Sequence, residues 1–407
     1  MKPLQVAYVL WRFPCRSEQF IQRELEGLAR RGVAVRLLVI GPPAAEQESG
    51  AVPWPVVRRP RWTSPALGLR ILSGALARPG SLGRAWRAAR ALRASREPAR
   101  LRDLARMLLL VPVFLRALGS REPDLVHAHF ATAPATFAML LAAALRKPWG
   151  FSAHARDLYA GPAQLDAKVG AARYALTCSE RARRDVLPRL AEADRPRVHA
   201  LNHGLDLDVW RRRAPPPRGR GGPLQVLGVG RLEPKKGFDV LVDACGHLRS
   251  SGLELQCAIV GEGPERAALA ARIERLGLGE AVTLVHWLAP AELRARYAAA
   301  DVLAVPSVVA PDGDRDNVPN VLLEALAMEL PVVASALPAI EEALDGGRLG
   351  RLVAPGDAAA LARALGETAP GRRSEGRRWV QMRYELGRGA ERLHALFLQA
   401  VGGASER

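Results

Sequence analysis

Short apolar runs alternate with stretches whose apolar positions recur every three or four residues, and the alternation continues along most of the chain. This is the signature of parallel strands covered by helices. QVAYVLW, from Gln5 to Trp11, predicts a first strand. Ser17 suits the N-cap of a helix over SEQFIQRELEGLARR that stops at Gly32, and VAVRLLVI, from Val33 to Ile40, predicts the next strand. DLVHAHF, WGFSAHA, ALTCS and RVHAL follow as strands, each leading into a helical or loop segment. At Arg211 to Pro223 the text becomes RRRAPPPRGRGGP, and so many prolines and glycines predict a linker. The pattern then restarts. LQVLGVG, ELQCAIVG, AVTLVHW, DVLAVPS and PVVAS predict strands, with helices starting at Phe238, Pro264, Pro290 and Pro319.

The expected fold class is therefore α/β, with two Rossmann-like doubly wound units facing across a cleft at the carboxyl ends of their strands, where such sheets bind ligands. The divisions are 1–205, a linker at 206–222, 223–380, and a final helix at 381–407 packing back toward the first unit. A length of 407 residues suits two domains.

Composition changes this picture in three places. Cys15, Cys178, Cys245 and Cys257 share no metal-ligand spacing, so they read as reduced thiols of a cytoplasmic protein. The N-terminus lacks the small-residue cleavage site of a signal peptide. MLLLVPVFL (Met107 to Leu115) and FATAPATFAMLLAAAL (Phe130 to Leu145) both fall short of the ~20 residues of a spanning helix. The second reads as a buried helix.

The net charge of +18 comes from 54 arginines and only five lysines, and so lopsided a ratio points to a codon bias more than to nucleic acid. The charge is uneven, however. Fourteen arginines stand against Glu97 and Asp103 alone between Arg58 and Ser120. There GLRILSGALARPGSLGRAWRAARALRAS mixes Leu, Ile and Trp86 with arginines at helical spacing. This basic amphipathic insertion at about 58–120 suits an anionic membrane surface, or equally a solvated helix pair.

Candidate chemistry concentrates after the linker. GVGRLEPKKGF has glycines between a strand and a helix, but Glu233 stands where a dinucleotide fingerprint needs its third glycine; Arg266 does the same after Gly261 and Gly263. NAD is thus not expected. Arg231 and Lys236 instead flank a turn at a strand's carboxyl end, as a phosphate site or a solvated basic turn would. Further on, DNVPNVLLEALAMELPVVAS places Asp316 eight positions before Glu324. Pro319 suits a helix's first turn, and the amide groups after it form a seat for a diphosphate. Asp316 lies just before that seat, and Glu324 shares a helix face with Asn320, placed to accept from two hydroxyls of a ribose.

In the first half, His127 and His129 point to one face of a strand without an evident third ligand nearby, and His154 stands at a strand end. Arg156 and Asp157 follow His154 as residues that could orient its loop. Ser17, Glu18 and Gln19 follow the first strand, where an acceptor could approach.

The run GRLxxxKG, then IVGEGP, then PS, an acid and a glutamate with seven residues between them, and PVVAS resembles the retaining nucleotide-sugar glycosyltransferases of family 4, which have the GT-B fold. FPxxSExFIxRE, HAHFA and FSAHAxDLY further resemble the exopolysaccharide and colanic-acid-type transferases.

The resemblance implies that Gly230, Arg231 and Lys236 hold the donor diphosphate. Asn317, Val318, Pro319, Asn320 and Val321 cradle the phosphates, while Gly261 and Gly263 permit close approach. Asp316 touches the donor sugar, Glu324 the ribose, and Trp287 and Leu288 the base. His154 faces the reacting carbon, with Ser17, Glu18 and His129 on the acceptor side. The donor is a UDP- or GDP-sugar and the acceptor a saccharide or lipid-linked oligosaccharide. No cofactor, metal or nucleic acid is implied. The location implied is cytoplasmic, peripheral on the inner face of the plasma membrane.

Three positions depart from the family pattern: Asp316 replaces Glu, Glu329 stands for a Gly at a helix end, and His286 for another Gly. A nucleotide-sugar epimerase and a non-catalytic basic membrane scaffold are the alternatives. DLD at Asp206 to Asp208 reads as a hinge. Retention through front-face attack, with the leaving phosphate taking the acceptor's proton, is the expected mechanism.

Overall fold

The computed structural model describes residues 3–15, 18–42, 52–161, 163–211, 222–368 and 374–403. The Ser17 cap and most of the linker therefore lie outside the described residues. The chain forms two compact units, Met1–Gly204 with Leu386–Arg407, and Leu205–Glu385.

The first unit begins with β1 (Gln5–Leu10), α1 (Gln19–Ala29), β2 (Ala34–Val39) and β3 (Val56–Arg58). Three helices follow: α2 (Leu67–Ala77), α3 (Ser81–Arg93) and α4 (Leu101–Leu118). Then come β4 (Leu125–His129), α5 (Ala133–Leu145), β5 (Trp149–Ala153), α6 (Ala155–Tyr159) and α7 (Leu165–Ala171). The sheet finishes with β6 (Tyr174–Thr177), α8 (Glu180–Val186) and β7 (Val198–Ala200). All seven strands are parallel, in the order β3-β2-β1-β4-β5-β6-β7. Every residue of β4, β5 and β6 is buried, including the polar His127, His129, Ser152 and Thr177, as in a parallel sheet covered on both faces.

The second unit opens with β8 (Leu224–Val229), α9 (Phe238–Ser250), β9 (Leu255–Val260), α10 (Arg266–Arg275) and β10 (Val282–Val285). It continues with α11 (Pro290–Ala299), β11 (Val302–Val305), α12 (Asn320–Ala327), β12 (Val332–Ser335) and α13 (Pro338–Ala343). It closes with β13 (Arg351–Val353), α14 (Ala358–Gly366) and α15 (Ser374–Arg383). Its six parallel strands run β10-β9-β8-β11-β12-β13. In both sheets the chain winds outward from one central strand, then returns to its other side. The switch points fall between β1 and β4 and between β8 and β11. The last helix, α16 (Leu386–Gly402), packs on α1 and buries Leu393, Phe397 and Ala400 in the first unit's core.

The basic region differs from a solvated helix pair. α3 buries Ser81, Ala85, Ala89 and Leu92 and lies on α5, while α4 puts Leu110, Val111 and Phe114 into the core. Gly74 of α2 meets α4 so closely that a Cβ there would lie 2.0 Å from the Pro112 carbonyl oxygen. These helices are a covering layer of the sheet. What remains outside is mixed: Arg61, Arg70, Arg87, Arg90 and Arg93 are exposed together with Trp62, Leu69, Leu72, Leu76, Leu82 and Trp86. α5 is buried almost all round. Among the described residues no helix is long and apolar enough to cross a membrane.

Two helix starts also differ from expectation. α10 begins at Arg266, because Gly263 and Pro264 lie in the turn before it. α12 begins at Asn320, with Pro319 in an extended conformation (φ −69°, ψ 131°) as its N-cap.

Candidate active site

The second unit's switch point gathers a cluster of charges. After β8 the chain turns through Gly230 and Arg231, forms a short 3-10 turn at Pro234–Lys236, and enters α9 past Gly237. Gly237 has φ +62°, and a Cβ there would sit 2.0 Å from the Pro306 carbonyl oxygen, so the lysine turn is pressed against the end of β11. Lys236 Nζ thereby reaches both oxygens of Asp316, at 2.7 and 2.9 Å. Ser307 Oγ donates to Asp316 Oδ2 at 2.7 Å. Lys235, buried, donates to Asp314 at 3.1 Å and lies 3.9 Å from Asp316 Oδ1.

Burial would raise the Asp316 carboxyl, but Lys236, Lys235 and the Ser307 hydroxyl outweigh it and hold it below the ordinary aspartate value. An ammonium has three donors. Two of those on Lys236 meet the carboxylate, and its side chain remains partly exposed. Arg231 stands on the neighbouring turn with its guanidinium exposed and 2.6 Å from Glu233.

Gly261 and Gly263 permit a close approach by the chain's own backbone. A Cβ on Gly261 would lie 1.8 Å from the Gly230 carbonyl oxygen, and one on Gly263 2.3 Å from that of Leu232. Leu232 N–H donates to the Glu262 carbonyl at 2.7 Å, and Glu265 N–H to the Leu232 carbonyl at 3.0 Å. IVGEGP is thus the buttress of the Gly230–Arg231–Leu232 turn.

Asp316 and Asn317 are buried immediately before α12, whose first amide groups have no partner within the helix. Val318, Asn320 and Val321 are partly exposed around this helix start. One turn in, Glu324 is buried, and the Tyr297 hydroxyl stands 3.1 Å from its Oε2 and 3.2 Å from the Val321 carbonyl oxygen. Glu329 takes φ +59° just past the helix, the left-handed conformation usually left to glycine. Trp287 is exposed, and Leu288 packs against the apolar core. His286 Nδ1 is 2.5 Å from Glu262 and its Nε2 3.1 Å from Arg266. The sequence reading missed Lys235, Asp314, Ser307 and Tyr297. Of these, only Lys235 carried a signal, as a second lysine in an arginine-rich chain.

The first unit's switch point holds a second cluster. Glu24 sits on the apolar face of α1 and is buried. It accepts from the Tyr8 hydroxyl at 2.8 Å, and the same oxygen is 2.8 Å from His129 Nε2. His129 Nδ1 is 3.2 Å from His154 Nε2, and His154 Nδ1 is 3.6 Å from Cys178 Sγ. Cys178 Sγ is in turn 3.2 Å from His203 Nε2, with His203 Nδ1 3.9 Å from Glu24. His127 is paired instead with the Tyr174 hydroxyl at 2.8 Å and with Ser152 at 3.3 Å.

Phe130 holds φ +76°, a strained value for an aromatic residue, and its ring packs 4.4 Å from that of His154. Asp157 anchors the loop by accepting from the His154 and Ala131 amides, both at 2.9 Å. Burial opposes the Glu24 charge, yet His129 and His203 hold its carboxyl well below the usual range. Burial, with His203 and His129 beside it, keeps His154 well below the ordinary histidine value. Glu18 is the N-cap of α1. Glu24, Cys178 and His203 were missed from the sequence; a carboxylate inside an apolar helical stripe was the available signal for the first.

Two family descriptions match consecutive segments: Glycosyltransferase Family 4 over residues 17–209 and Glycosyl transferases group 1 over 223–369. The chain is 36% identical over 147 residues to the colanic acid biosynthesis glycosyltransferase WcaL of Salmonella typhimurium, a match covering 36% of each chain. It is 33% identical over 177 residues to WcaL of Escherichia coli, covering 44% of each. Amylovoran biosynthesis glycosyltransferase AmsK of Erwinia amylovora is 38% identical over 143 residues, 35% of each chain. The matches thus span well under half the length of these relatives.

Among solved structures, sucrose-phosphate synthase from Thermosynechococcus elongatus superposes with a TM-score of 0.74 at 19% identity, covering 98% of this chain and 100% of that one. Anabaena HepE in complex with UDP gives 0.67 at 17%, with 98% and 100% covered. These two bear on the fold. With both family segments in series on the two parallel sheets of a GT-B framework, the chain belongs to glycosyltransferase family 4.

Proposed function

We propose that this chain moves a sugar, with retention, from a UDP- or GDP-sugar to a saccharide or lipid-linked saccharide in cell-surface polysaccharide biosynthesis. The observation that carries the reading is the Lys236–Asp316–Ser307 cluster at the carboxyl ends of β8 and β11, next to the start of α12. Lys235, Lys236 and Arg231 are balanced by Asp314, Asp316 and Glu233, so the surplus positive potential comes from the amide-rich helix start, with the exposed Arg231 guanidinium beside it. That potential lies where charge grows as a diphosphate departs, and preorganised charge is a large term in such catalysis. The third donor of Lys236 goes to a phosphate oxygen and Asp316 to a sugar hydroxyl. Glu324, set by Tyr297, takes the ribose hydroxyls. On this reading expulsion of the diphosphate uses no metal. His154 faces the reacting carbon, and Glu18 and His129 belong to the acceptor side.

The relatives' names support the reading: two concern colanic acid and amylovoran, and another is a GDP-mannose-dependent mannosyltransferase of Mycolicibacterium smegmatis. Measuring the melting point with a panel of UDP-, GDP- and ADP-sugars tests the donor, since a ligand of the folded state raises it. Lys236→Ala and Glu324→Ala should each abolish the shift and slow transfer; both leaving transfer intact overturns the assignment. A β-linked product from an α-linked donor overturns retention.

The mixed arginine, leucine and tryptophan surface of α2 and α3 supports a cytoplasmic enzyme working at an anionic membrane face. Vesicles rich in anionic lipid should sediment the protein at low salt and release it at high salt. Failure to sediment overturns membrane docking without touching the donor site.

A further inference from the structure

The first unit's histidine cluster goes beyond sugar transfer, and its proton bookkeeping leads to a specific geometry. Glu24 as a carboxylate only accepts, so His129 must donate to it through Nε2. With its ring proton on Nε2, His129 presents a lone pair at Nδ1, to which His154 donates through Nε2. The Nδ1 of a neutral His154 is left with its own lone pair, aimed at Cys178 Sγ 3.6 Å away. On the other side of the sulfur, His203 Nε2 lies at 3.2 Å, and its remaining ring nitrogen is turned toward Glu24.

Two imidazole nitrogens and a sulfur therefore converge, all within 4.8 Å of one another. Around a tetrahedral zinc, with Zn–N near 2.0–2.1 Å and Zn–S near 2.3 Å, neighbouring donors stand about 3.3–3.6 Å apart. The His154 and His203 rings lie parallel within 12° at 5.0 Å and are backed by Phe130 and Phe20, which limits their movement. On its other nitrogen His154 is hydrogen-bonded to His129 at 3.2 Å, a contact of the kind that sets tautomer and basicity at metal sites, and that of His203 faces the Glu24 carboxylate at 3.9 Å. Cys178 and His203 remain partly exposed, leaving room for water as the fourth ligand.

We propose that His154 Nδ1, Cys178 Sγ and His203 Nε2 form a three-ligand site for a zinc-class divalent cation, supported by His129 and Glu24 and open at its fourth position. The soft sulfur with two imidazoles favours zinc over magnesium or calcium. The cation would replace the protons shared between the sulfur and the imidazoles. It would sit where β5, β6 and β7 deliver their carboxyl ends, on the acceptor side, and would commit His154 to the metal.

The test uses cobalt(II) as a coloured stand-in for zinc. The full-length protein, reduced and stripped with a chelator, is titrated with cobalt chloride and followed by absorption. One equivalent should give a sulfur-to-cobalt charge-transfer band with tetrahedral d–d bands, all bleached by one equivalent of zinc. Cys178→Ser should lose the charge-transfer band, while Cys15→Ser keeps it. Glu24→Gln should weaken binding about 10- to 100-fold. Absence of a stoichiometric band in the native protein overturns the site, as does a band unaffected by Cys178→Ser. Because the readout is independent of donor binding, either result leaves the assignment of Lys236 and Asp316 standing or falling separately.

Discussion

Replacing Lys236 with methionine keeps the side-chain length and deletes the charge. In the native site Lys236 lies at 2.7 and 2.9 Å from the two oxygens of a carboxylate that is only 8% exposed. Removing one partner of a buried pair costs about 3–5 kcal/mol. Lys235 stays 3.9 Å away and the Ser307 hydroxyl still donates, so about 2–3 kcal/mol is the expected loss. The second unit runs from Leu205 to Glu385, and for that size each kcal/mol moves the melting point by about 2–4 °C, a drop of about 4–12 °C in all.

The pH dependence has a definite sign. The Asp316 carboxyl is held below its unfolded value, so the pair's contribution is complete above roughly pH 3.9 and fades as the pH falls through the lowered value of the folded state. Melting curves of native and Lys236→Met protein should stand apart at neutral pH and converge in acid. A saturating nucleoside diphosphate at a hundred times its dissociation constant adds about 2.7 kcal/mol to the native protein, and the variant should lose most of that gain. Equal melting points at pH 7, a gap that persists in acid, or a full ligand shift in the variant would each refute the reasoning.

Gly261→Ala must push its methyl group against the Gly230 carbonyl 1.8 Å away. It should displace the Arg231 turn, cost about 1–3 kcal/mol and raise the donor KM, read from melting curves and initial rates. Tyr297→Phe removes the hydroxyl near Glu324 and the Val321 carbonyl. Stability should fall by about 1 kcal/mol, with weaker nucleotide binding by calorimetry. Burial raises Asp157 to about 6, opposed by the His154 and Ala131 amides and then by Lys168, and lowers Lys168 to about 7, opposed by Asp157. The first unit should accordingly lose stability as pH rises toward 6 and regain it above 7, and denaturant titrations of native and Asp157→Asn protein should show the acidic part of that dip only in the native chain.

The central strands were legible because a parallel strand buried on both faces is mostly apolar: β1, β11 and β12 each announce themselves as apolar runs. β3 and β13 were not, since three residues on a sheet edge, one of them an exposed arginine, carry no pattern. The lysine turn and the acidic loop were both visible, but their union was not. Lys236 and Asp316 are 80 positions apart, and only the packing of Gly237 on Pro306 brings them together. Glu24 was hidden for a related reason. Its partners come from the ends of separate strands, and the sequence gives no measure of distance between them.

The chain leaves the first unit at Gly204 and rejoins it at Leu386. The first and last residues of the second unit run side by side, with the Leu205 amide 2.6 Å from the Tyr384 carbonyl oxygen and a parallel bridge between Leu205 and Glu385. The second unit is thus spliced into its host as a cassette whose two seams adjoin. Swapping that cassette for one from a relative of different donor preference calls for two cuts at these seams. A single crossover in the Pro/Gly-rich connector would instead import a foreign α16, and with it a mismatched Leu393 and Phe397 against α1.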